Sequence, residues 1–467
     1  MKITRPLLAS AAAIAIAAGA VPVIAQDTDK EIQPVVDTHT LNDDTTVETP
    51  KATDAEVAAE AAAEPEAGEI RPEESDEVTD NTPEIPEIQA REATEEELDN
   101  MPDQRHQTDA GAVTVTPLTQ APLNTANKKP QKWFSHTGEG KKLDAYNVYS
   151  PAMERDIPVA VLPARDAAGA LVDDAPIVYL LNGAGGAEQD TDWINLADST
   201  VYETFEGQSV NVVIPMEGAF SYYVDWLTDP GQRGYYKGKQ MWSTFLTKEL
   251  PGAMEQQLNA NDRRAIVGFS MSATSALLAA EHNPGMYNAV GSFSGCAATS
   301  TPLPYFYAGL TVNRGANGMT PESIWGPMGS EYNRYNDALV NAEGLRNTAL
   351  YISTATGLQS DTDMLSSLLD RNGGKVEAAL KSSSTLTIEG GAIEAAMNAC
   401  THDLRAKLTS LNIPAHYELR NTGTHSWPGW RDDLKKSWNH VIKPALGLSE
   451  SNAPATNTGS AEFSSAN

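Results

Sequence analysis

The chain has 467 residues, with 63 acidic against 33 basic side chains and a formal net charge of −30 at pH 7. That balance argues against nucleic acid as a partner, since a polyanion is held by a basic surface. The two cysteines form no CxxC pair, which excludes a metal or redox centre of that type.

The N-terminus is basic over residues 1–6, and residues 7–20 form an Ala-rich apolar run too short to span a bilayer. Small residues then precede a cut after Ala25, so residues 1–25 read as a signal peptide and the mature protein is expected to be secreted to the cell envelope. Residues 26–110 hold 27 acidic and 5 basic residues and no Phe, Trp, Tyr or Cys. Such a stretch cannot bury enough apolar surface to offset its ordering entropy. Residues 26–130 are therefore expected to be a disordered acidic linker, residues 131–448 the catalytic domain, and residues 449–467 a disordered tail. In an exported protein the even cysteine count favours one disulfide, joining Cys296 to Cys400.

Within the folded part, residues 143–149 and 157–162 read as a strand hairpin. Residues 176–181 and 210–214 are strongly apolar strands, and residues 240–258 have helical composition. Strands follow at 265–267, 289–293, 350–353 and 414–419, with helices at 271–282, 391–411 and 426–446. Alternating strands and helices with continuous apolar strands specify a mostly parallel sheet covered on both faces. Aromatic residues fall in three stretches read as loops, at 220–226, 304–307 and 325–327. At the sheet's carboxyl edge they could line a pocket for a sugar or an acyl chain.

The chemistry gathers at Gly268-Phe269-Ser270-Met271-Ser272. An apolar strand, a sharp turn of small residues, a serine and a helix are the context of a nucleophile elbow, which makes the fold α/β-hydrolase-like. Gly268 suits the close approach of strand and helix, whereas Ser272 stands where a second glycine is usual. A serine needs a base to take its proton. Downstream, His282 ends the elbow helix, His402 lies inside a helix, His416 inside a strand and His440 inside the closing helix. His425 falls in a loop between the last strand and last helix, where this fold carries its catalytic histidine. For the acid, Glu389 and Glu394 compete, with Asp361 and Asp363 as weaker candidates. Glu389 is placed in a flexible turn before Gly390-Gly391, and Glu394 in the first helical turn, where the dipole keeps a carboxylate ionised. The oxyanion donors are assigned to the N–H groups of Met271, just after the nucleophile, and Ala184, in the Gly-rich loop after the 176–181 strand.

Six ordered blocks resemble the secreted mycolyltransferases of the antigen 85 family, especially their corynebacterial branch. They are "LLNGAGGAEQDTDW" (180–193), "VVIPMEGAFSYYVDW" (212–226), "WSTFLTKELP" (242–251), "VGFSMSATSAL" (267–277), "SIWGP" (323–327) and "GTHSW" (423–427). The resemblance covers most of 131–447 and none of the acidic segment. It implies a triad of Ser270, Glu394 and His425, with the acid decided by the position of "AIEAAMN". It also implies substrate contacts from Asn182, Trp226, Ser426 and Trp427. Two positions depart from the family: Asn182 replaces an Asp and Gly185 an Arg, both part of the trehalose site in typical members. The implied activity is ping-pong transfer of a mycolic acid from trehalose monomycolate to a second trehalose monomycolate or to arabinogalactan, without metal or other cofactor. The partner would be a trehalose mycolate glycolipid, met at the periphery of the mycolate outer envelope. A secreted serine carboxylesterase, with water as acceptor, is the alternative.

Overall fold

A computed structural model describes residues 113–448. The expected signal peptide, most of the acidic segment and the tail lie outside the described residues.

A nine-stranded sheet runs in the order β1-β2-β3-β5-β4-β8-β9-β10-β11. Its strands are β1 (Val115–Pro117), β2 (Asp144–Ser150), β3 (Arg155–Leu162), β4 (Ile177–Leu180), β5 (Asn211–Pro215), β8 (Arg264–Phe269), β9 (Ala289–Phe293), β10 (Ala349–Thr354) and β11 (His416–Leu419). Two short strands, β6 (Gln232–Arg233) and β7 (Tyr236–Lys237), form a separate ribbon. Pairing is antiparallel from β1 to β3 and between β3 and β5, then parallel from β5 to β11. The inner strands β4, β5 and β9 are buried at every residue, because helices cover both faces. This is the α/β-hydrolase fold.

The folded body starts before residue 131. Val115 pairs with Val148, and Gln131 is buried where its side chain accepts from the Trp133 indole at 2.7 Å. The alternation Val113-Thr114-Val115-Thr116 is a short strand signal, and Pro117 does not cancel it because an edge strand tolerates proline. Two of the aromatic stretches are also not loops. Residues 304–307 lie in α4 (Pro302–Gly315), and Trp325 closes α5 (Pro321–Trp325). Each helix has a proline in its first turn, where the missing N–H costs no hydrogen bond.

Of the helices before them, α1 (Trp193–Phe205) starts on an Asp192 cap that accepts two backbone N–H bonds. Next come α2 (Leu250–Leu258) and α3 (Met271–Glu281). Every residue of α3 is buried, so it carries no polar face and runs inside the domain. A Cβ on Gly268 would stand 2.1 Å from the Ser272 carbonyl oxygen, so β8 and α3 meet only through a glycine. Ser272 is absorbed differently from a second glycine. Its hydroxyl accepts the Phe269 N–H at 3.0 Å and lies 3.1 Å from the Phe269 carbonyl oxygen, closing the turn.

After α6 (Glu331–Tyr335) and α7 (Leu365–Arg371), α8 (Val376–Thr385) passes through a π-turn (Leu386–Gly390) into α9 (Gly391–Ser410). Gly390 and Gly391 are both helical, so the expected break does not exist. Among the described residues the last elements are α10 (Trp427–Ser437), a π-turn (Trp438–Ile442) and a short helix, α11 (Lys443–Ala445).

Replacing Gly268 by Ala should cost at least about 3 kcal/mol, the upper range for overpacking, because the obstacle is backbone. Urea unfolding of the variant beside Gly252→Ala, where the added carbon meets nothing within 4 Å, measures this directly.

Candidate active site

Ser270 joins β8 to α3 at φ 56° and ψ −124°, a conformation that costs a non-glycine residue energy. Its N–H donates to the Phe293 carbonyl at 2.9 Å, which ties the turn to the end of β9. The hydroxyl is thereby turned out of the strand. His425 Nε2 lies 2.8 Å from Ser270 Oγ. On the other side of the ring, Nδ1 lies 2.8 Å from Glu394 Oε2. A carboxylate accepts, so Nδ1 carries the proton and Nε2 is left to accept from the serine. The structure thus brings Ser270, His425 and Glu394 together from residues 155 and 31 positions apart.

Glu394 is completely buried, and the His425 side chain is 9% exposed. Three further donors hold the second carboxylate oxygen: Ala355 N–H at 2.6 Å, Ser294 Oγ at 2.8 Å and Thr354 Oγ1 at 3.1 Å. Burial alone would push this carboxyl up. The hydrogen bond and charge of His425, then the Ala355 and Ser294 bonds, outweigh it and leave the group below the usual glutamate range. Since α9 continues from a π-turn, Glu394 faces no free helix terminus. Its charge is held by these donors and not by a dipole. Ser294, Thr354 and Ala355 were missed in the sequence because strand-end residues carry no periodic signal. The positive φ of Ser294 is visible only in the folded chain.

The remaining candidates lie elsewhere. Glu389 is in the π-turn. Asp363 caps a short turn through Ser360 and reaches Thr424 N–H and Ser426 Oγ at 3.4 Å, on either side of His425. His282 Nε2 faces the Tyr335 carbonyl at 2.9 Å, and His416 stacks between Tyr351 and His440.

Met271 opens α3, so its N–H belongs to the helix end that has no intrahelical acceptor. The Ala184 carbonyl accepts Phe220 N–H at 2.7 Å, which fixes the peptide of the loop after β4. Ser426 and Trp427 are partly exposed beside His425. Asn182 is not offered to a ligand. It is 1% exposed, donates to the Pro215 carbonyl at 3.0 Å and accepts Trp193 N–H at 3.0 Å. Trp226 is also buried, its indole N–H on the Ser221 carbonyl at 2.9 Å. The expected sugar contacts at these two positions are therefore core contacts. Trp430, unremarked in the sequence, packs its ring 5.0 Å from that of His425 and 4.6 Å from that of Phe269.

Cys296 and Cys400 form a disulfide across 104 residues. One half follows Ser294 by two positions and the other follows Glu394 by six, so the bridge joins two segments that share one hydrogen bond at the acid.

Such an arrangement can activate a hydroxyl for attack on an ester carbonyl. Fold and relatives together define a serine-dependent acyltransferase or esterase. Residues 150–440 match the Esterase family model, and the chain belongs to that family. It is 28% identical to the diacylglycerol acyltransferase/mycolyltransferase Ag85A of Mycobacterium tuberculosis, over 74% of this chain and 92% of that one. It is 27% identical to Ag85C, of the same description, from Mycobacterium leprae, over 63% and 80%. The crystal structure of Mycobacterium tuberculosis MPT51 covers 64% of this chain and 96% of its own at 22% identity, with a TM-score of 0.49.

Two outcomes are expected. Cys296→Ser with Cys400→Ser should lose about 4–5 kcal/mol of stability in the loop-entropy model, read by urea unfolding without reductant. Glu394 is more acidic folded than unfolded, so its contribution to stability is complete above the unfolded value and fades as pH falls through the folded one. Between pH 5 and 3, on the order of the glutamate range, Glu394→Gln should therefore lose less stability than the wild type.

Proposed function

We propose that the chain moves a mycolic acid from trehalose monomycolate to a second trehalose monomycolate or to cell-wall arabinogalactan, through an acyl-enzyme on Ser270. The observation that carries this reading is the unbroken line Ser270–His425–Glu394, with both contacts at 2.8 Å. His425 takes the serine proton as Oγ attacks the ester carbonyl. Met271 and Ala184 N–H groups stabilise the oxyanion, and Glu394 balances the imidazolium. His425 then protonates the departing trehalose oxygen. In the second half it deprotonates the incoming sugar hydroxyl, and the ester re-forms with Ser270 restored.

The substrate class is supported by the names of the relatives, which describe mycolyltransferases. Action at the envelope is supported by the basic and apolar N-terminus and by the disulfide, which persists in oxidising compartments. Among the described residues no helix is long and apolar enough to cross a membrane. One observation favours a second reading, a carboxylesterase with water as acceptor. Asn182, a sugar contact by resemblance, has its amide occupied inside the protein.

Labelled trehalose monomycolate separates the two. Transfer gives trehalose dimycolate, whereas hydrolysis gives free mycolic acid. Ser270→Ala should abolish both products, and full retained activity would overturn the scheme. Glu394→Gln should lower turnover by about 10³- to 10⁴-fold, because the amide no longer stabilises the required tautomer.

A further inference from the structure

The loop that carries His425 is bounded by two residues that meet beneath it. Arg420 directly follows β11, and its N–H donates to the Thr354 carbonyl at 2.9 Å. Its guanidinium turns inward and donates through Nη1 to Asp433 Oδ1 at 2.5 Å. Asp433 is wholly buried in α10, one face of which supports the loop. The same oxygen accepts the Tyr351 hydroxyl at 3.1 Å from β10. One buried ion pair thus fastens the strand before the loop, the helix after it and the strand whose end holds Glu394.

Room is made for this contact. A Cβ on Gly429, in the first turn of α10, would stand 3.0 Å from an Arg420 guanidinium nitrogen. A Cβ on Gly423 would stand 2.8 Å from that of Ala355, so the loop lies against the end of β10. Above the ion pair, backbone bonds tie the loop down: Gly423 N–H to Leu358 O at 2.6 Å and His425 N–H to Gly390 O at 3.0 Å. The Arg420 charge also feels Glu394. Burial would lower the guanidinium pKa, but the carboxylates of Asp433 and Glu394 hold it above its usual value.

We propose that Arg420 and Asp433 are positioning residues for the reaction, a buried clasp that sets the His425 loop so that the imidazole bridges Glu394 and Ser270. The inference rests on His425 being the base. A pair that joins both ends of a short loop restricts how far the imidazole strays from the 2.8 Å contacts, and small misplacements of a base are costly in rate. Neither residue reaches the Ser270 hydroxyl, so neither takes part in proton transfer.

The test uses the purified chain and p-nitrophenyl butyrate, an ester that needs no natural acceptor. Arg420→Met and Asp433→Asn should each lower kcat by about tenfold with KM unchanged. Arg420→Lys, which restores a charge, should recover most of the loss. The double variant should be no worse than the poorer single one, since one contact is removed only once. Labelling of Ser270 by a fluorophosphonate should slow in the same order. Unchanged kcat in both single variants, losses confined to KM, or losses that multiply in the double variant would each overturn the clasp. Thermal unfolding shows which variants are folded at the assay temperature. If Arg420→Met is not, the nearly isosteric Asp433→Asn decides. Ser270→Ala is assayed beside them. Full activity there overturns the triad reading, whereas an inactive Ser270→Ala with an unaffected Arg420→Met overturns the clasp alone.

Discussion

A fully buried, ionised glutamate sets a strict demand on this fold. An ionised carboxylate away from water is tolerated only where donors replace its hydration. Glu394 has four of them, drawn from the end of β9, the end of β10 and the loop before α10. Those segments are remote in sequence, and parallel strands bring their carboxyl ends to one edge. The position of Glu394 is therefore a property of the whole sheet. His425 is oriented as one of the four donors, which makes the imidazole part of what keeps the charge stable.

Several local oddities answer to that constraint. The helix bearing Glu394 starts close against the segment after β10, and Gly391 permits it. A Cβ on Gly391 would stand 2.8 Å from the Gly357 carbonyl oxygen. The π-turn fits the same need. It breaks the regular i to i−4 pattern, and the Gly390 carbonyl accepts from His425 N–H. The disulfide then ties α9 to the segment that supplies Ser294. On the far side, Trp430 fills the space between Phe269 and the imidazole, so the strand before the nucleophile and the base share one wall.

The alternating sheet, the elbow and the place of His425 were legible because each leaves a local trace. Apolar runs mark the inner strands, Gly268 marks the close approach, and the loop between β11 and α10 can be counted along the chain. The acid was not legible from the residues alone. Glu389 and Glu394 differ by five positions on one continuous helix, and only the folded chain shows that Glu394 is the one that meets His425. The expected dipole argument failed for the same reason: a glycine pair reads as a break, and here it is a contact. Strand β1 escaped notice because its Val-Thr alternation spans only four residues, directly after the acidic segment. Arg420 and Asp433 carry no mark in the sequence, and only the fold brings them against each other.

The departures from the resembled family fall in the loop after β4 and leave the Ser270–His425–Glu394 contacts intact. Its Arg is Gly185 here, and the change is not a simple truncation. A Cβ at Gly185 would stand 2.5 Å from Gln189 Oε1 and 2.7 Å from Thr191 Oγ1, so a longer side chain would displace those two side chains. Asn182, in place of an Asp, is an uncharged group that both donates and accepts, and it uses both abilities inside the protein. A buried Asp in the same place would accept only, and would set a carboxylate beside the Pro215 carbonyl. Both positions are thus enclosed by groups of the protein itself, and in the same loop the Ala184 carbonyl is held by Phe220 N–H. Ser426 and Trp427, by contrast, remain partly exposed beside His425.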